Sequence, residues 1–161
     1  MKPTHKLLFI FSLCAGLIHW PLAQADVLPN ILDFRVEAAL SKQKQTPILV
    51  LFKSDYCPYC ITVLDEFLLP MQRKREYDKQ VILRQIEITK QTKLLDFNGK
   101  ATTGSDFAIQ HKVWAVPTVI LFDSNGQELT RITGLLTIDF YLAYLNTAIE
   151  ESQAKIKPQA K

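Results

Sequence analysis

The sequence predicts an α/β domain of three layers, a sheet held between two layers of helix. Three observations carry that expectation. Ile48 to Phe52 is an unbroken apolar run, short enough to be a strand covered on both faces. Apolar residues recur at helical spacing on either side of it, in Ile31 to Lys44 and Ile61 to Leu69. Shorter segments, Val81 to Thr89, Val119 to Phe122 and Gln127 to Ile132, supply the remaining strands.

Taken in order, the first helix carries Ile31, Leu32, Phe34, Val36, Ala39 and Leu40 along one broad face, with Asn30 as its cap. Pro47 opens the central strand. The second helix continues to Pro70, which ends or kinks it. The charged stretch Arg73 to Lys79 reads as a solvated helical face. Lys90 to Gly104 is polar, contains an Asn98-Gly99 turn and reads as a surface insertion whose role the sequence leaves open. Ser105 to His111 is a short helix, and Asp123 to Gly126 is the turn of a hairpin. Thr137 to Ile149 closes the domain with Ile138, Tyr141, Leu142, Leu145 and Ile149 inward, and a frayed polar tail starts at Ser152.

The N-terminus reads as an export signal: Lys2 and Lys6, an apolar run from Leu7 to Ile18, and the small-x-small sequence Ala23-Gln24-Ala25. That run falls short of the roughly 20 residues that cross a bilayer, so cleavage is favoured over a retained anchor. The expected organisation is a cleaved signal peptide over residues 1–25, one domain over 26–151 and a tail over 152–161. Lys and Arg number 19 against 16 Asp and Glu. Without Lys2 and Lys6 the balance is 17 against 16, which gives no argument for nucleic acid or an anionic surface. The expected location is outside the cytoplasm, in the periplasm.

Removal of Cys14 with the signal leaves Cys57 and Cys60, spaced C-x-x-C at a strand-to-helix junction. A cysteine attacks as its thiolate, and a free thiol with a pKa of about 8.5 is mostly protonated at neutral pH. The first turn of a helix stabilises the anion through unpaired N–H groups and the dipole. Pro58 suits a first helical position. Cys57 is therefore expected to be the nucleophile and Cys60 the thiol that resolves the mixed disulfide, with Pro58 and Tyr59 tuning the pair. A purely structural disulfide would close too short a loop to stabilise much. A metal site would need more soft ligands than His111 and Met71 offer, so neither metal nor cofactor is expected. Val116-Pro117-Thr118 precedes a strand, where proline is tolerated in any case.

These features resemble the thioredoxin-like superfamily over nearly the whole exported chain. The resemblance implies a central mixed β-sheet flanked by helices on both faces, with Pro117 as a cis proline facing the cysteines. It implies that the backbone of Val116 pairs with a bound substrate, and that Gly134 of Thr133-Gly134 lines the same surface. The export signal and the segment before Trp114 are similar to periplasmic thioredoxin-fold proteins of the SoxW and DsbC type, whereas C-P-Y-C is the sequence familiar from glutaredoxins. Two positions depart from thioredoxin itself: Leu51 replaces a buried acid that moves a proton to the second cysteine, and Tyr56 replaces a tryptophan. Proton transfer would then fall to water or to Glu87, itself expected at the surface. The resemblance implies an enzyme that reduces or exchanges disulfides of protein substrates, fed by a membrane thiol transporter of the DsbD kind. The chain has no room for the inserted helical domain of the oxidases of this superfamily, or for the dimerisation domain of its isomerases. A disulfide-donating oxidase and a non-enzymatic binding module are the alternatives.

Overall fold

The computed structural model describes residues 27–156; the expected signal peptide and residues 157–161 lie outside them. The elements run α1 (Phe34–Lys44), β1 (Ile48–Lys53), α2 (Pro58–Thr62), a π-helical turn (Val63–Leu68), α3 (Leu69–Arg73) and a 3-10 turn (Tyr77–Lys79). There follow β2 (Ile82–Glu87), β3 (Lys93–Leu95), β4 (Ala101–Thr103), α4 (Gly104–Gln110), β5 (Thr118–Phe122), β6 (Glu128–Thr133) and α5 (Ile138–Ile156). The main sheet has the order β2-β1-β5-β6. β1 runs parallel to β2 and antiparallel to β5, and β6 is antiparallel to β5, so the sheet is mixed.

The unbroken apolar run of β1 is explained by the two cores it separates. Leu49 and Leu51 face a core completed by Val63, Phe67 and Leu68 of the π turn and by Tyr141, Leu145 and Ile149 of α5. Ile48, Val50 and Phe52 alternate to the opposite core, with Phe34 of α1, Phe107 of α4 and Leu94 of β3. Helices therefore cover both faces.

Several boundaries differ from the sequence-based expectation, each for a tertiary reason. α1 starts at Phe34 with Asp33 as its cap, the Asp33 carboxylate accepting from Arg35 N–H at 2.9 Å. Asn30 instead bridges to Gln85 of β2, and Ile31 N–H donates to Gln85 O at 3.1 Å, so this segment extends the sheet. With that start, Phe34, Glu37 and Ser41 face inward while Leu32 and Val36 are exposed. Glu37 is tolerated there because Arg84 of β2 reaches its carboxylate at 2.8 Å. Pro70 does not end the helical run; it stands in the first turn of α3, directly after the π turn. A proline clashes with the carbonyl four residues back, and in the π turn just before it Leu69 N–H bonds Leu64 O, five residues back.

Arg73 to Lys79 is not a helical face: α3 stops at Arg73, and the following turn buries Tyr77, whose hydroxyl donates to Asn146 Oδ1 at 3.0 Å. Lys90 to Gly104 is more than a surface insertion. It folds as the β3–β4 hairpin, buries Leu94 and packs Phe97 against Phe34, the ring centroids 4.4 Å apart. Its turn is tied by the Asp96 carboxylate, which accepts from Asn98 and Lys100 N–H, and Gly99 takes a φ of +80° there. α5 continues to Ile156 rather than fraying from Ser152, because Ser152 is fully buried with its hydroxyl 3.0 Å from that of Thr130. Ile138 and Leu142 are exposed, and Ala148 takes an inward place instead. Among the described residues no helix is long and apolar enough to cross a membrane.

Tyr141 is fully buried, and its hydroxyl has no hydrogen-bond partner. Burial pushes its phenol far above the usual range. An unsatisfied buried hydroxyl costs about 1–3 kcal/mol. Tyr141→Phe is expected to raise stability by about 1 kcal/mol, read from the urea midpoint at unchanged slope; a loss of stability would show that the hydroxyl has a partner in solution.

Candidate active site

β1 delivers the chain from the buried sheet into a turn, Ser54 to Cys57, closed by Cys57 N–H to Ser54 O at 3.1 Å. Cys57 caps α2 from an extended conformation, and its Sγ accepts from Cys60 N–H at 3.1 Å. Cys60 N–H and Ile61 N–H also point to Cys57 O, at 3.0 and 3.2 Å. Pro58 occupies the first turn, where its missing N–H costs nothing. The expected helix-start geometry for Cys57 is thus present.

Cys57 and Cys60 form a disulfide, their Cα atoms 5.2 Å apart. Cys57 is half-buried, whereas Cys60 is 1 % exposed. Attack from outside can therefore reach one sulfur and scarcely the other. Tyr56 and Tyr59 stand exposed beside the pair, Tyr56 at 89 %.

The loop before β5 closes the other side of the site. The Val116–Pro117 peptide is cis, and Val116 O lies 3.7 Å from Cys57 Sγ. Thr118 Oγ1 donates to Ala115 O at 2.7 Å, and Gly134 N–H donates to Pro117 O at 2.7 Å. Gly134 adopts a φ of +76°, which favours glycine, so Thr133-Gly134 braces this loop from β6. Residues 59 positions apart in sequence meet at the Cys57 sulfur.

The sequence model of the thioredoxin-like domain family matches residues 34–149, the span holding both cysteines, Pro117 and the sheet between them. The chain belongs to the thioredoxin-like family. The chain is 28% identical over 136 residues to the thiol:disulfide interchange protein DsbD of Salmonella typhi, an alignment covering 78% of this chain and 22% of that protein. This thioredoxin-like chain thus spans about a fifth of that relative's length. Among solved structures it is similar to DsbH oxidoreductase, with a TM-score of 0.58, 21% identity and coverage of 81% and 90% of the two chains. The thioredoxin NaTrxh of Nicotiana alata gives a TM-score of 0.51 at 19% identity, covering 78% and 97%. Identities at this level speak for the fold. The family match spans the Cys57–Cys60 disulfide and the cis Val116–Pro117 peptide that faces it.

Within this thioredoxin-like site, Leu51 is fully buried in β1, in register with Gln85 and Val119. Glu87 is buried rather than a surface residue. It stands in register with Lys53, whose Nζ is 3.4 Å away, and accepts from Thr89 N–H at 2.8 Å. Its bonds run to Lys53 and Thr89 and none to Cys60. His111 ends α4 against the rings of Phe107 and Phe122, and burial lowers the pKa of its imidazole. Among the described residues no group of three His, Cys, Asp or Glu side chains could hold a metal ion.

One feature of the site is invisible in the sequence. The Asp55 carboxylate, at the corner of the Cys57 turn, pairs with Lys53 at 2.5 Å and with Lys90. Lys53 first and Lys90 second hold the Asp55 carboxyl well below the usual carboxylate range. Lys90 is 35 positions away along the chain, so only the parallel pairing of β1 with β2 brings it there.

Proposed function

We propose that the chain is exported and reduces or exchanges disulfides of periplasmic protein substrates through a Cys57–Cys60 dithiol–disulfide cycle. The observation that carries this reading is the asymmetry of the pair: Cys57 Sγ caps a helix at an accessible turn, and Cys60 is 1 % exposed one turn behind it. In the reduced protein the Cys57 thiolate attacks one sulfur of a substrate disulfide, which forms a mixed disulfide and releases the other substrate sulfur as a thiolate. The Cys60 thiolate then attacks Cys57 Sγ. The Cys57–Cys60 disulfide forms, the second substrate thiolate leaves, and two electrons have passed to the substrate. Protons lost by the enzyme thiols are taken up by the released thiolates.

Pro58 and Tyr59 separate the two cysteines along the chain and tune this exchange, while the Val116 backbone, beside Cys57 Sγ, is the place for a substrate strand to pair. The leader Lys2 to Ala25 supports export. The electron donor proposed for this cycle is a membrane thiol transporter of the DsbD kind.

Reduction of insulin disulfides by dithiothreitol tests the chemistry. The wild-type protein is expected to accelerate it, and Cys57→Ser to return it to the background rate; equal rates would leave only a binding module. Alkylation trapping in cells then sets direction. A pool mainly in the dithiol form marks a reductase, and a mainly oxidised pool in cells with an intact donor pathway counts against it.

A further inference from the structure

The turn that presents Cys57 is gripped by charges at the C-terminal ends of the parallel strands β1 and β2. Lys53 Nζ binds Asp55 at 2.5 Å and Glu87 at 3.4 Å, and its side chain is only 14% exposed. Lys90 Nζ takes the second Asp55 oxygen. Glu87 is fixed in turn by the N–H and hydroxyl of Thr89. Two positive and two negative charges therefore balance on the wall of a cavity of about 350 Å³ that opens beside the turn.

The other surroundings of Cys57 are poor in charge. The loop facing it, Trp114-Ala115-Val116-Pro117, brings the Val116 carbonyl and no ionised side chain; Lys112 lies upstream of it. Tyr56 and Tyr59 carry phenols, and Asp65 and Glu66 follow more than a turn beyond Cys60. Within the turn itself, Asp55 is two residues from the nucleophile.

We propose that Asp55 and Lys90 are opposed positioning residues, which together pin the Cys57 turn and keep its local charge near neutral, so that losing either one shifts the reactivity of Cys57 in opposite directions. The inference rests on Cys57 being the attacking thiol. Asp55→Asn leaves Lys53 and Lys90 in excess, which favours the thiolate; Lys90→Gln leaves the carboxylates in excess, which disfavours it. Loss of one unit charge from the turn, acting through partly solvated protein at low ionic strength, changes the thiolate fraction about threefold, and added salt screens the effect.

The test uses the full chain with Cys14→Ser and Cys60→Ser, so that Cys57 is the one thiol, and follows its alkylation by iodoacetamide as a function of pH. At a pH below the thiol midpoint, Asp55→Asn is expected to react about threefold faster and Lys90→Gln about threefold slower. The double variant is expected near the parent rate, and all four proteins converge at roughly 0.5 M salt. Circular dichroism confirms that each variant is folded. A shift in the same direction for both single variants would mean that the turn merely loosened, and unchanged rates would mean that the charges do not act on the sulfur; either result overturns the proposal. Because no turnover is needed, the two readings fail separately: a wild-type protein inactive on insulin sinks the oxidoreductase reading, whereas the direction of the shifts in the single-thiol protein decides this one.

Discussion

Cys60→Ser is expected to convert the protein from a catalyst into a trap. Cys57 keeps its place as the cap of α2, with its sulfur accepting from the N–H of residue 60, a backbone group that serine retains. Attack on a substrate disulfide therefore still occurs, but no thiol remains to expel the product, and the mixed disulfide accumulates. With Cys14→Ser to remove the third thiol, incubation with a disulfide-bearing protein should give an adduct on non-reducing gels that dithiothreitol dissolves. Insulin reduction should fall to the background rate. Cys57→Ser should give neither adduct nor turnover, since the remaining sulfur is 1 % exposed. An adduct that forms with Cys57→Ser and fails with Cys60→Ser would reverse the two roles. The magnitude is the largest available here, because each variant removes a covalent step rather than a contact.

The second large effect concerns the core opposite the site. Phe34 is fully buried at the start of α1, with its ring 4.4 Å from both Phe97 and Phe107 and edge-on to Phe122 at 6.2 Å. It thereby joins α1, the β3–β4 hairpin, α4 and β5. Phe34→Ala is expected to cost about 3–5 kcal/mol, from lost burial and from a cavity that four separate elements cannot collapse to fill. That is a large share of the roughly 5–15 kcal/mol that holds a domain folded. Val36, two residues on, is 63% exposed, and Val36→Ala should change stability by less than about 0.5 kcal/mol. Urea unfolding followed by circular dichroism compares the two. Similar midpoints for both variants would show that the aromatic cluster does not organise this face.

How far the site could be read from the chain follows from which forces are local. Cys57, Pro58 and Cys60 are neighbours, and a helix beginning after an extended strand defines their geometry within one turn, so the pair and its strand-to-helix setting were legible locally. The unbroken apolar run Ile48 to Phe52 likewise implied a strand buried on both sides, which β1 is. Where an element's fate depends on a partner far along the chain, local patterning misplaced it. Leu32 and Val36 looked inward until Asp33 set the start of α1; Lys93 to Thr103 looked like loop until Phe34 offered Phe97 a face to pack on. Ser152 looked like tail until Thr130 of β6 met it.

By itself, then, the sequence determined the layered α/β class and the placing of the Cys57–Cys60 pair at a strand-to-helix junction, because these rest on hydrophobic burial of contiguous residues and on the geometry of a single helical turn. Tertiary structure alone decided what surrounds that pair. It set Val116 O against Cys57 Sγ, buried Glu87 beside Lys53, and drew Lys90 onto Asp55. Each of these contacts joins residues separated by more than thirty positions, and Coulomb and hydrogen-bond forces act between them only after the strands have paired.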